Sequence, residues 1–194
     1  MFQTEPILFL QSFASDSLTA LMTTVTWFGY PPAYGAVLSV ILFGISFRRG
    51  FVLLQMVLWT AILNEAVKDL MSLPRPLHVD RQVQILGQPG GNPTQFERGG
   101  AVGFWQGPNP IIVDSYRSLP GTSWGFPSGH TAVFTTLWGG LAVLFEPILI
   151  RVMLLPMVIV MALSRMYLGK HFLADVIGGA ALGGAVVLFA RFVL

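Results

Sequence analysis

The sequence predicts an all-α fold: a polytopic bundle of about six transmembrane helices in one domain spanning residues 1–194. Three observations predict it. The chain is 54% hydrophobic and only 10% charged, where a soluble domain carries about 25% charged residues, and its mean hydropathy is +0.68. Apolar runs approaching the ~20 residues of a spanning helix recur along its length. A single long stretch, 73–127, breaks that pattern and holds eight of the 13 prolines and nine of the 21 glycines.

Taken in order, the N-terminal segment has no basic region and only a short apolar block at 7–10, so it does not read as a cleaved signal peptide. The run 18–30 has a threonine-rich face and is either a short first span or a helix lying in the interface; without it the count is five. Runs 33–47, 51–70, 131–145, 148–168 and 172–193 supply the other spans, with Arg48-Arg49-Gly50 closing the first of them. The stretch 73–127 cannot cross hydrocarbon, because its backbone groups would go unsatisfied. Its aromatics (Phe96, Phe104, Trp105, Tyr116, Trp124, Phe126) favour a loop folded onto the membrane surface. Small residues at four-residue spacing within 178–185 read as a close helix-packing face.

Basic residues in short connections set the orientation. Arg48, Arg49, Arg151 and Arg191 mark the cytoplasmic side, so the long loop faces outward, into the periplasm if the cell has one. The net charge of +2 is too small to argue for nucleic acid, and with no cysteine there is no disulfide or thiol chemistry.

On this topology, polar residues from four distant helix ends meet at the outer face: Lys68 and Arg75, then Ser128 and His130, then Arg165, then His171 and Asp175. Charges at membrane depth are costly and mark function. Snorkelling at a span end accounts for Lys170; it does not account for two histidines and an aspartate on one side. Lys68, Arg75 and Arg165 suit phosphoryl oxygens, which guanidinium matches bidentately. Lys68 and Arg75 are two helical turns apart, and Pro74 and Pro76 hold Arg75 in an extended exit. "PSGH" (127–130) opens a helix whose first N–H groups form an anion site, with Gly129 permitting close approach and Ser128 able to donate. His130 then stands beside a bound phosphate, able to protonate a leaving oxygen. His171 and Asp175, four apart, share a helix face, so the carboxylate can fix the imidazole tautomer. Spacing alone does not separate His130 from His171 as nucleophile. A zinc site from these groups is disfavoured because the three cations would repel a dication. His78 reads as a solvated loop residue.

"KDLMSLPRP" (68–76), "PSGH" (127–130) and "SRMYLGKHFLAD" (164–175) match K-x6-RP, PSGH and SR-x5-H-x3-D in order. In this the chain resembles the type 2 phosphatidic acid phosphatase superfamily, which also holds vanadium haloperoxidases and glucose-6-phosphatase. The resemblance implies a metal-independent, cofactor-free phosphatase site. It implies that His171 is the nucleophile forming a phosphohistidine, that Asp175 orients it, and that His130 protonates the leaving group and later activates water. Lys68, Arg75, Ser128, Gly129 and Arg165 would hold the phosphoryl oxygens. The expected substrate is a lipid phosphate or diphosphate of the phosphatidic acid, phosphatidylglycerol phosphate, undecaprenyl diphosphate or lipid A type, met at the outer face of the cell (inner) membrane among membrane lipids. A lipid or sugar phosphotransferase, a glucose-6-phosphatase-like sugar phosphatase, a haloperoxidase and a non-enzymatic anion binder are the competing readings. The apolar spans oppose the haloperoxidase, and an anion binder has no use for the two histidines and the aspartate. Oligomeric state is not legible.

Overall fold

A computed structural model describes every residue except 89–91, 93, 120, 121, 147 and 194, and the described elements are all helical. The first helix, α1 (Glu5–Gln11), packs against the long loop through Ile7 and Gln11. α2 (Asp16–Trp27) begins where Ser15 Oγ accepts the Leu18 N–H at 3.2 Å, with Asp16 complementing the helix dipole in the first turn. It stops at the Phe28–Tyr30 turn because Pro31 and Pro32 suit only the first turn of a new helix, α3 (Pro31–Ser39). A π-helical turn, Val40–Ile45, continues α3, and the two arms of this N-terminal pair meet at a bend of 48°.

Ser46 then starts α4 (Phe47–Met71), its Oγ accepting from the Arg49 N–H at 3.4 Å. Arg48, Arg49 and Gly50 therefore form the first turn of α4 and do not close the preceding run. Gly50 is where the two segments touch: a Cβ there would sit 2.5 Å from Leu42 Cα. The chain leaves α4 through Ser72 in the left-handed region (φ 46°), and Arg75 is extended (φ −83°, ψ 162°), as its flanking prolines require. Short helices α5 (Pro76–Val79) and α6 (Pro110–Arg117) punctuate the long loop. Three apolar helices follow: α7 (Gly129–Leu144), α8 (Ile148–Tyr167) and α9 (Leu173–Val193).

Helix α7 is the central one, buried along almost its whole length. Its Val133, Leu137 and Leu141 pack with Leu53, Met56 and Val57 of α4 and with Leu38 and Ile41 of the N-terminal pair. Thr60 and Thr136 hydrogen-bond across α4 and α7 at 2.8 Å. Gly179 and Gly183 of α9 stand against the carbonyls of Ser128 and Ala132, leaving no room for a Cβ. The small-residue stripe is therefore a helix-packing face.

The loop is folded down, but not chiefly by its aromatics. Ile7, Val79, Val83, Ile112, Met166, Phe172 and Val176 form a second core between α1, the loop, the C-terminal end of α8 and the N-terminal end of α9. Asp80 accepts from Thr4 Oγ1 at 2.9 Å, and Gln11 donates to the carbonyls of Gln84 and Tyr167. Trp105, by contrast, is 83% exposed.

Among the described residues, three helical segments are long and apolar enough to cross a membrane: Phe47–Val79, Ile148–Tyr167 and Leu173–Val193. The bent pair Asp16–Trp27 and Pro31–Ile45 makes a fourth if it counts as one span. The expectation of about six stands against this because Pro31-Pro32 divides the N-terminal apolar stretch into short arms, and because α7 has only 16 residues.

Candidate active site

All eight residues singled out from the sequence lie at one end of the bundle. His171 lies just ahead of α9 and Asp175 in its first turn. His171 Nδ1 donates to Asp175 Oδ2 at 3.2 Å, and the same oxygen accepts the Phe172 N–H at 2.9 Å. Both side chains are buried. The carboxylate therefore sets the tautomer and turns Nε2 toward Arg75, whose Nη1 is 3.5 Å away. Burial first, then the positive charges of Arg75 and Arg165, holds the His171 imidazole well below its ordinary pKa. The ring is thus a neutral base with a lone pair on Nε2.

Arg75 is braced on its far side. Its Nη2 donates to Ser123 Oγ at 2.9 Å and its Nε to the Ser123 carbonyl at 3.2 Å. Nη1 also reaches the Lys170 carbonyl at 3.4 Å. The Lys170 ammonium donates to Gln88 Oε1 at 2.6 Å, and burial, then Arg165 and Arg75, lowers its pKa to about 8.

The start of α7 faces this pair. The Ser128 N–H donates to the Asp175 carbonyl at 2.8 Å, which locks the α7 entrance to α9. Ser128 Oγ accepts from Thr131 at 3.1 Å and does not cap the helix, so the first N–H groups of α7 have no intrahelical acceptor. Gly129 has no side chain to obstruct them. A Cβ there would lie 3.2 Å from Asn64 Nδ2 and 3.8 Å from Lys68 Nζ, which places both α4 groups beside the helix start. Lys68 is also paired with Glu65 at 2.6 Å.

Arg165, at the end of α8, is 4% exposed. Its Nη1 donates to Thr26 Oγ1 at 3.3 Å, while its Nε is buried without a protein partner among the described residues. His130 Nε2 is buried and unpartnered in the same sense. Its ring meets Tyr30 edge to face at a centroid separation of 4.3 Å. Cations, free helix N–H groups and two imidazoles thus surround one small volume, an arrangement that can hold a tetrahedral anion and exchange a proton with it. Among the described residues, no group of three or more His, Asp or Glu side chains is placed to hold a metal ion.

His78 is not freely solvated as expected: it stacks on Tyr116 at 4.3 Å, and its Nδ1 is buried. Sequence reasoning missed Thr26, Gly29, Tyr30, Asn64 and Ser123. Asn64 was detectable as a polar amide inside the apolar run 51–70. The others carry no local signal, because their role comes from contacts more than 45 residues away in the chain.

The family model of the PAP2 superfamily matches residues 49–193. No curated protein sequence matches the chain. Two solved structures share its fold. One is LpxE from Aquifex aeolicus, 18% identical, covering 98% of this chain and 94% of its own, with a TM-score of 0.67. The other is described as the first transmembrane PAP2 type phosphatidylglycerolphosphate phosphatase from Bacillus subtilis, 19% identical, covering 98% of this chain and 83% of its own, with a TM-score of 0.68.

Proposed function

The chain belongs to the PAP2 superfamily, and on that premise we propose that it is a metal-independent membrane phosphatase acting on a lipid phosphate or diphosphate through a phosphohistidine. The observation that carries the reading is the His171–Asp175 pair, with Nδ1 on the carboxylate and Nε2 facing Arg75. In the first step the Nε2 lone pair attacks phosphorus and the bond from phosphorus to the leaving oxygen breaks. His130, in its protonated form, gives that oxygen a proton. In the second step His130 takes a proton from water, the hydroxide oxygen bonds to phosphorus, and the bond from phosphorus to Nε2 breaks to release phosphate. Arg75, Arg165, Lys68, the Ser128 hydroxyl and the Gly129 N–H hold the equatorial oxygens and balance the charge that builds on them.

A lipid substrate is supported by the position of these groups at the ends of apolar helices, where a headgroup sits while its tails remain in hydrocarbon. A phosphatidylglycerolphosphate phosphatase with the same fold supports the same class. The reading places the enzyme in the cell membrane, with the site and the 73–127 loop on the extracytoplasmic face opposite Arg48, Arg49, Arg151 and Arg191.

The test is phosphate release by detergent-purified protein in the presence of EDTA, with wild type beside His171→Ala. Phosphatidic acid, phosphatidylglycerol phosphate, undecaprenyl diphosphate, lipid A and glucose 6-phosphate form the panel. Release from a lipid is expected, falling at least about a thousandfold in the variant. Abolition by EDTA, or full activity in His171→Ala, would overturn the mechanism.

A further inference from the structure

Residues 26–30, the end of α2 and the bend that leads into α3, precede the region matched by the family model, which begins at 49. They nonetheless form one wall of the site. Thr26 ties the bend to α8: its Oγ1 accepts from Arg165 Nη1 at 3.3 Å and pairs with Ser164 Oγ at 3.0 Å. Thr26 is 4% exposed and Ser164 fully buried, so these bonds are sheltered from water.

Just beyond this tether, Gly29 and Tyr30 close on His130 from two directions. A Cβ on Gly29 would lie 2.7 Å from His130 Cδ2 and 3.1 Å from its Cβ and Cγ. The imidazole is therefore packed directly on the Gly29 backbone, and the Tyr30 ring meets it at 90°. His130 Nε2 has no protein partner among the described residues. Hydrogen bonding at that nitrogen thus does not hold the ring in place, and shape takes over the task.

We infer that Gly29 and Tyr30 are positioning residues for His130: they set the direction in which its imidazole presents a proton to the leaving oxygen. The inference rests on the acid role proposed above for His130. The bend of 48° at Pro31-Pro32 then has a purpose beyond a change of helix direction. It brings backbone without a side chain against one side of the ring and an aromatic ring against another, so the imidazole is bounded on two sides. Gly29 is not in the left-handed region, so the effect of adding a methyl there is steric and not conformational. A displaced acid harms only reactions that need it.

The experiment compares two substrates with alkyl tails of the same length: an alkyl phosphate, whose alkoxide must be protonated to leave, and an alkylated nitrophenyl phosphate, whose phenolate leaves without a proton. kcat/KM is measured for both in the same detergent, on Gly29→Ala, Tyr30→Ala, Tyr30→Phe and His130→Ala that elute as wild type does on gel filtration. The readout is the ratio of alkyl to nitrophenyl activity, which general loss of stability or of tail binding does not move. His130→Ala should lower the ratio about a hundredfold or more, the usual worth of a general acid. Gly29→Ala and Tyr30→Ala should lower it about tenfold or more through misplacement of that acid, and Tyr30→Phe, which keeps the ring, should retain it. An unchanged ratio in both Gly29→Ala and Tyr30→Ala beside a lowered one in His130→Ala would overturn the positioning role and leave the phosphatase intact. An unchanged ratio in His130→Ala itself would remove the acid assignment, and the inference with it.

Discussion

The two histidines of the site are held by different physics. His171 is fixed by polar contacts: a carboxylate on one nitrogen, a guanidinium near the other, and a backbone N–H holding the carboxylate in turn. His130 is fixed by contact with Gly29 and the Tyr30 ring, and its Nε2 meets no protein group among the described residues. The difference fits the tasks proposed for them. A nucleophile has to keep one tautomer and one charge state, which a hydrogen-bonded carboxylate and burial enforce. A group that both gives and takes a proton has to be free of a competing partner, and is better oriented by shape. Hydrogen bonds constrain protonation as well as position; van der Waals contact constrains position alone.

The largest effect that would sharpen this contrast is expected from Asp175→Asn. Losing the tautomer-fixing carboxylate should lower kcat by roughly a hundredfold or more, and equally for leaving groups that do and do not need a proton. A loss confined to the alkyl substrate would move Asp175 to the acid side of the reaction. A smaller effect is expected where the two halves are joined. The Ser128 N–H reaches the Asp175 carbonyl at 2.8 Å, and Gly179 packs on the Ser128 carbonyl. Gly179→Val should overpack this seam, destabilise the protein by about 1–3 kcal/mol and lower the melting temperature in detergent. An unchanged melting temperature would show that α7 and α9 can separate without cost. The smallest effect is a shift in pH dependence. His171 is held neutral, so it loses its nucleophilic form only when pH falls through its lowered pKa. The acid limb of kcat should therefore lie below about pH 6.5, the ordinary imidazole value. A limb at or above it would mean that burial does not govern the ring.

Much of the nucleophile half was legible in the chain. The four-residue spacing of His171 and Asp175 places them on one helix face, and they do hydrogen-bond. Pro74 and Pro76 do hold Arg75 extended. The glycines at 179 and 183 do make the close helix contact that their spacing suggested. Each of these depends on residues within a turn or two of one another, where helix geometry and proline sterics act directly.

The acid half was not legible to the same degree. His130 and its place at a helix start could be read from "PSGH". Its neighbours Gly29 and Tyr30 could not, since they reach it across about a hundred residues and only through the bend that Pro31-Pro32 imposes. The span count shows the same limit: apolar composition was plain, and Pro31-Pro32 marks a break, but whether 16–45 forms one crossing or two short arms depends on the angle of that break, a bend of 48°. His78 also read as a solvated residue until Tyr116 stacked on it. What the sequence determined by itself was therefore the chemistry at each helix end, the apolar character and the packing stripes, all consequences of local geometry. What only the tertiary structure decided was which distant backbone closes the site around His130. That depends on the packing of whole helices, and no spacing within one of them records it.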